Sequence, residues 1–337
     1  MSKKNSNVIL KSSFKQFKDI ASEYLKFKKE FKNLKTRSFI VAISGGPDSL
    51  ALAAFTKALS YEKKYKFHYT LIDHRIRKKS SLEAKAVKNL LKKHDMKLDI
   101  ILNKEKILRN IQSQARLVRY KLLAKHSLKK KTKIVLTAHN LEDQVETFFI
   151  RLSRGSGLTG LSAMNKLTKI NHRLYLFRPL LNTKKEVLTK ISKISFNKYF
   201  KDPSNKNKKY LRTKIRSLKK PLMESGINYD QIIKSINNLA SSKATLDNYF
   251  QRTLSEVVKK EKDLVKINLE KFNLQNYEIK MMIINESIKI LKKNYYNPRS
   301  KKVKNLLENI GDKEFKKATL AGCLFFVKKR NLCLKKE

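Results

Sequence analysis

Residues 39–49 read FIVAISGGPDS: an unbroken apolar run from Phe39 to Ile43, then Ser44, Gly45, Gly46, Pro47, Asp48 and Ser49, where a helical pattern from Asp48 to Leu59 begins. Only 8 glycines occur in the chain, so two in succession between a strand candidate and a helix start are informative. Paired glycines let the backbone turn sharply and present its N–H groups, and a helix starting at the turn adds its positive end. The combination is a cradle for an anion, although a plain strand-to-helix turn uses the same geometry. No Gly-Lys-Ser or Gly-Lys-Thr follows, which argues against a Walker loop and against ordinary γ-phosphoryl transfer.

Around this stretch, short apolar runs alternate with longer amphipathic periods. The strand candidates are Phe39 to Ser44, His68 to Asp73, Leu98 to Leu102, Ile134 to Ala138 and Leu174 to Phe177. Helices are expected at Asp48 to Leu59, Ser81 to His94, Ile111 to His126 and Leu141 to Leu152. Phe14, Phe17, Ala21, Tyr24, Phe31 and Leu34 recur at helical spacing and suggest a packing helix. This alternation predicts an α/β fold, a Rossmann-like parallel sheet with flanking helices. Such sheets bind ligands beyond the carboxyl ends of their strands, here the loops after Ser44, Asp73 and Ala138.

From Asp202 to Pro221 the sequence is polar and Lys-rich, punctuated by Pro203, Asn205 and Asn207, and reads as a linker. Beyond it, Ile232, Ile233, Ile236, Leu239 and Ala240, and later Ile279, Ile283, Ile284, Ile288 and Leu291, recur at helical spacing. Leu320 to Val327 and Leu332 to Leu334 suggest a terminal hairpin. The expected division is a first domain over residues 1–220 and a smaller, mainly helical domain over 221–337 that ends in a β-hairpin.

With 79 Lys plus Arg against 28 Asp plus Glu in 337 residues, the formal charge is +51. That points to a polyanionic partner or an anionic surface. Lysine supplies 64 of the 79, as a genome biased toward A and T would write at tolerant surface positions, so charge alone does not establish nucleic-acid binding. Hydrophobic residues make up 41%, too many for a disordered chain. No apolar run approaches the roughly 18 residues of a membrane span. The basic N-terminal stretch lacks an apolar core with a cleavage site, and Asp19, Glu23 and Glu30 argue against a transit peptide, so the cytoplasm is the expected location. Cys323 and Cys333 are the only cysteines, which leaves a disulfide framework, a four-cysteine zinc site and a cysteine-held iron–sulfur cluster without support.

Glu142, Asp143 and Glu146 place three carboxylates within five residues at a helix start, where side chains three and four apart meet. Complementing the helix N-terminus would account for acids there; a cationic substrate or a metal is the sharper reading. Arginine is scarce, at 15 residues, yet Arg75, Arg116, Arg119, Arg151, Arg178, Arg212 and Arg216 all fall within the segments quoted below. Against a lysine bias, retained arginine hints at planar, bidentate contacts, although surface ion pairs would also use it. His139 and His74 stand at strand ends as metal ligands, bases or structural residues. His68, His94, His126 and His172 are read as surface or core.

SGGPDS after an apolar strand resembles the pyrophosphate loop, SGGxDS, of the ATP pyrophosphatases, which split ATP between its α and β phosphates to adenylate a substrate. The resemblance implies that Ser44, Gly45, Gly46, Pro47, Asp48 and Ser49 hold the ATP phosphates and that Asp48 contacts Mg²⁺. From about residue 37 to 217 the chain is similar to the tRNA(Ile)-lysidine synthetases of that superfamily. The shared segments are, in order, Asp73, His74 and Arg75; Ala115, Arg116, Arg119 and Tyr120; TAHNLEDQVET from Thr137 to Thr147; Arg151, Gly155, Ser156, Gly157, Gly160 and Leu161; Arg178 to Leu181; and Asp202, Pro203, Ser204, Asn205, Arg212 and Arg216. TLAGC at Thr319 to Cys323 resembles the end of a short-form member. Glu142, Asn140 and Thr213 depart from the usual Asp, His and Asn.

That resemblance implies ligation of free L-lysine to the wobble cytidine of the isoleucine tRNA with a CAU anticodon, through an adenylated cytidine, with release of AMP and pyrophosphate. Lysine carries two ammonium groups and a carboxylate, so its site needs acids and a fork-shaped arginine; the resemblance gives these roles to Asp143, Glu146 and Arg212. Proton removal from the amine falls to Asp143, Glu146 or His139. Arg75, Arg116, Arg119, Arg178 and Arg216 are expected to contact tRNA or phosphate, and residues 221–337 to bind tRNA. A homodimer is left open. Two alternatives compete. A tRNA thiolase of the same superfamily would want a reactive cysteine, and residues 1–322 contain none. A nonenzymatic RNA-binding protein would explain the charge but not a phosphate loop joined to an acidic cluster.

Overall fold

In a computed structural model, Ser38–Ile43 forms β1, flanked on both faces, which is why it reads as a continuous apolar run rather than an alternating one. The structure describes residues 14, 16–77, 79–105, 107, 111–171, 173–200, 211–292, 298, 300–312 and 314–337. Strands β2 (Lys66–Asp73), β3 (Leu98–Leu102), β4 (Ile134–Leu136), β5 (Leu167–Lys169) and β6 (Tyr175–Phe177) complete a six-stranded sheet in the order β3-β2-β1-β4-β6-β5. All neighbours are parallel except the edge pair β5–β6.

The flanking helices are α1 (Lys18–Glu30), α2 (Pro47–Glu62), α3 (Ser80–Lys92), α4 (Ile111–Lys129), α5 (Leu141–Leu152), α6 (Leu158–Leu161), α7 (Lys185–Phe196), α8 (Leu211–Ser217), α9 (Lys219–Glu224) and α10 (Tyr229–Val257). Alternate side chains of β1 feed different layers. Phe39, Val41 and Ile43 join Phe27, Phe31, Leu50 and Phe55 in the larger core. Ile40 meets Leu123, Val135, Leu174 and Leu176 on the other face. Complete burial of a side chain such as Phe39 or Phe55 contributes about 1.5–3 kcal/mol. Helix α2 buries Leu50 to Thr56 without a break, so it is apolar nearly all round and anchors the loop that precedes it.

The chain divides into two compact units, Met1–Leu239 and Ala240–Glu337, with the division inside α10. The composition change near residue 220 lies within the first unit. Asp202, Pro203, Ser204, Asn205, Asn207 and His172 lie outside the described residues. In the second unit, β7 (Val258–Lys260), β8 (Leu264–Asn268), α11 (Leu269–Asn273), α12 (Tyr277–Leu291), α13 (Ser300–Gly311), β9 (Lys317–Leu320), β10 (Cys323–Lys328) and β11 (Asn331–Lys336) follow in turn. The expected terminal hairpin is β10–β11, and it forms part of a five-stranded antiparallel sheet ordered β7-β8-β11-β10-β9. The other three strands are three to five residues long and carry lysines, too short for a period-two pattern to stand out. Among the described residues, no helix is long and apolar enough to cross a membrane.

Candidate active site

The turn after β1 is built around Gly45. Its φ is +83°, and a Cβ there would stand 2.6 Å from Val87 Cγ2 and 3.4 Å from Phe200 Cδ2, so only glycine fits. Its carbonyl accepts the Phe200 N–H at 2.9 Å. Gly46 caps α2, and Pro47 follows at the first helical position, where its missing N–H is not needed. Ser49 braces the turn from within: its Oγ donates to the Gly46 carbonyl at 3.0 Å and accepts the Ser44 N–H at 3.1 Å. Ser44 Oγ donates to Ser49 Oγ at 3.1 Å.

Asp48, in the first turn of α2, points an Oδ1 that is buried and without a hydrogen-bond partner. Burial, with the neighbouring charges of Asp143 and Glu142, pushes its carboxyl up to about 6 against the pull of Lys185 and a hydrogen bond from Asn140. Those neighbours come from α5. Asn140 caps that helix in a reciprocal box with Asp143. Its Oδ1 accepts the Asp143 N–H at 2.9 Å, and the Asn140 N–H reaches Asp143 Oδ2 at 3.2 Å. Asn140 three residues before an acid was a legible sign of this cap, one that the reading of Asn140 as a departure passed over. Glu142 turns the other way, accepting the Lys185 N–H at the start of α7 at 2.9 Å and approaching Lys219 Nζ at 3.5 Å. Lys185 and Lys219 are charged neighbours that sequence reasoning did not single out, since nothing distinguishes them among 64 lysines.

Helix α8 delivers two arginines to the same carboxylates. Arg212 donates from Nε to Glu146 Oε2 at 2.5 Å and from Nη2 to Asp143 Oδ1 at 2.7 Å. Arg216 donates from Nε to Glu146 Oε1 at 2.5 Å and from Nη2 to Oε2 at 3.2 Å. Burial works against the charge on Arg212, but Asp143 and Glu146 outweigh it and hold its pKa above the usual guanidinium value. His139, half-buried after β4, has Nδ1 2.8 Å from Thr137 Oγ1. Burial, with Arg178, Arg212, Arg116 and Arg119 around it, pushes its pKa down to about 3, so the ring is neutral. His74, after β2, has both ring nitrogens buried and unpartnered; burial and Arg119 lower it to about 4 against the pull of Asp73.

The remaining arginines separate into two groups. Arg75, Arg116 and Arg119 are exposed. Arg75 follows an Asp73-capped turn, with its N–H donating to Asp73 Oδ1 at 2.9 Å, and Arg116 lies 5.0 Å from the centre of the Tyr120 ring. Arg178, expected to reach tRNA or phosphate, is instead 4% exposed, with Nη1 donating to the Asn165 carbonyl at 2.6 Å and Thr168 Oγ1 at 2.8 Å. It is an internal strut, and a short polar strand, β5, is what hides it. Arg151 holds the carbonyls of Gly160 and Ala163 at 2.6 and 2.7 Å in the same manner. Arg216 likewise points to Glu146 rather than outward.

The Ser44–Ser49 turn and a carboxylate–guanidinium cluster thus stand together at the carboxyl end of a parallel sheet. Residues 19–222 match the PP-loop domain family. The chain is 32% identical over 288 residues to the tRNA(Ile)-lysidine synthase of Wolbachia pipientis wMel, covering 84% of this chain and 67% of that protein. It is 30% identical over 302 residues to the tRNA(Ile)-lysidine synthase of Rickettsia felis, covering 87% and 68%. Among solved structures, the U34-tRNA thiolase NcsA from Methanococcus maripaludis, with its 4Fe–4S cluster, shares the fold with a TM-score of 0.56 at 18% identity, over 66% of this chain and 79% of that one. Loop, cluster and relatives converge: the chain belongs to the PP-loop proteins and, among them, to the tRNA(Ile)-lysidine synthase family.

Proposed function

We propose that this chain uses ATP to adenylate the wobble cytidine of the isoleucine tRNA bearing a CAU anticodon and then joins lysine to it. In the first step the 2-oxo group of cytosine attacks the α phosphate and pyrophosphate leaves. In the second, the ε-amine of lysine attacks C2 and AMP leaves, giving lysidine. The observation that supports this reading is that Asp48, in the Ser44–Ser49 turn, feels the charges of Asp143 and Glu142 and a hydrogen bond from Asn140, while Arg212 ties Asp143 to Glu146.

The turn would present backbone N–H groups and the start of α2 to the phosphates. Mg²⁺ binds through one or two carboxylates together with phosphate oxygens, and the buried, unpartnered Oδ1 of Asp48 fits that donor set. When bound, the ion would neutralise charge on the departing pyrophosphate. Asp143 and Glu146 would face a lysine ammonium and Arg212 its carboxylate. A lysine amine with a pKa near 10.4 must lose a proton before it attacks. His139, held near 3, does not hold a second proton near neutral pH, which leaves Asp143 and Glu146 as the candidate acceptors. Arg75, Arg116 and Arg119 would meet the tRNA backbone, along with the basic residues from about 221 onward. Sulfur transfer would call for a cysteine beside the loop, whereas Cys323 and Cys333 are both buried in the sheet of the second unit.

ATP–pyrophosphate exchange tests the first step. Exchange should require the tRNA and should vanish in well-folded Asp48→Ala and Ser49→Ala chains. Exchange that persists in both variants would remove ATP from this loop.

A further inference from the structure

Glu146 is 3% exposed, and both of its oxygens are taken. Oε1 accepts Arg216 Nε at 2.5 Å, while Oε2 accepts Arg212 Nε at 2.5 Å and Arg216 Nη2 at 3.2 Å. Asp143 commits Oδ1 to Arg212 and Oδ2 to the Asn140 N–H. The two acids that the proposed function assigns to an ammonium are therefore already matched, charge for charge, by two guanidinium groups. The arginines are not equivalent. Arg212 spans both carboxylates, whereas Arg216 grips Glu146 and stays 3.9 Å from Asp143. Its side chain is 31% exposed and sits in the last turn of the seven-residue helix α8, so it has a path to solvent.

We propose that Arg216 is a placeholder for the substrate ammonium: it neutralises Glu146 while the amino-acid site is empty, and lysine enters by displacing it. The proposal rests on the reading of Asp143, Glu146 and Arg212 as the lysine site. A buried carboxylate stripped of its counter-ion is strongly destabilised, which explains why an acidic pocket for a transient cation carries a cation of its own. Arg216 therefore sets the affinity for lysine through Glu146, without touching the reacting atoms. A ligand lacking an ammonium has nothing to offer Glu146 in exchange.

The full chain and its Arg216→Gln, Arg216→Lys and Arg212→Gln variants can be compared by equilibrium dialysis with radiolabelled lysine, alongside thermal unfolding with and without lysine. Arg216→Gln should bind lysine about tenfold more tightly than the parent, because a charge-assisted competitor is gone. It should also unfold at a lower temperature alone and recover when lysine is added. Arg216→Lys retains a competing cation and should bind lysine much as the parent does, and Arg212→Gln should bind it poorly. Weakened or unchanged lysine binding in Arg216→Gln would overturn the placeholder role. Equal lysine binding by the parent and Arg212→Gln would overturn the site reading beneath it, whatever Arg216→Gln does.

Discussion

Asn140 and Asp143 cap helix α5 for one another, with the Asp143 N–H on Asn140 Oδ1 at 2.9 Å and the Asn140 N–H on Asp143 Oδ2 at 3.2 Å. Asp143 therefore divides its two oxygens between holding the helix start and holding Arg212. The two duties separate by substitution. Asp143→Asn keeps an oxygen for the cap but removes the charge, so urea unfolding should stay within about 1 kcal/mol of the parent. Its KM for lysine should rise roughly ten- to one-hundred-fold. Asp143→Ala should lose both, with an added destabilisation of about 1–2 kcal/mol. Normal lysine saturation in both variants would remove Asp143 from the amino-acid site.

Gly45 is a steric requirement as well as a conformational one. Gly45→Ala puts a Cβ into Val87 at a positive φ and is expected to cost about 1–3 kcal/mol in denaturant unfolding. Adding Val87→Ala should restore only the steric share, because the strained φ remains. Full recovery in the double variant would show that the backbone at Gly45 carries no strain.

Asp48 and the fold oppose each other as pH rises. Its carboxyl is raised from 3.8 to about 6, so the folded chain binds more protons than the unfolded chain between roughly pH 4 and 6, and this group's contribution to stability falls across that window. Asp48→Asn removes the penalty. Its unfolding free energy should overtake the parent's as pH climbs from 4 to 6 and stay above it at pH 7, by about 3 kcal/mol. A pH-independent difference between the two would show that the Asp48 carboxyl is not desolvated.

His139 titrates in the opposite sense. Lowered from 6.5 to about 3, it leaves the unfolded chain with more bound protons between about pH 3 and 6.5, so its contribution to stability grows as pH rises through that range. The His139 ring resonances, assigned by comparison with His139→Asn, should show no titration between pH 5 and 8. A midpoint near 6.5 would return His139 to the candidates for proton acceptor.

Much of this architecture is written in local pattern. The run from Phe39 to Ile43 is apolar because both faces of β1 are covered, and Gly45-Gly46 before Pro47 marks the turn and the helix start. The acidic cluster at Glu142, Asp143 and Glu146 was legible as a group. What escaped was division of labour: Glu142 ties down α7, Asp143 caps α5, and Glu146 is closed by Arg212 and Arg216. The Asp143 cap is local to Asn140, but the contacts of Glu142 and Glu146 depend on partners 43 to 70 residues away, which spacing along the chain does not encode. The burial of Arg178 depends in the same way on Thr168 in β5, a three-residue strand with almost no periodic signal. The second unit's sheet was visible only as its terminal hairpin, because β8 meets β11 across a long sequence separation and β7, paired to β8, is only three residues long.

The ligation itself is tested most directly by incubating the full chain with ATP, Mg²⁺, isotopically labelled lysine and the CAU-anticodon isoleucine tRNA, then digesting the tRNA and weighing its nucleosides. The expected result is one new nucleoside, cytidine joined to labelled lysine with loss of water, formed with one AMP per lysine and absent when Asp48→Ala or Arg212→Ala replaces the parent. AMP release without lysine in the tRNA, or lysine incorporated equally by the Arg212→Ala chain, would contradict it.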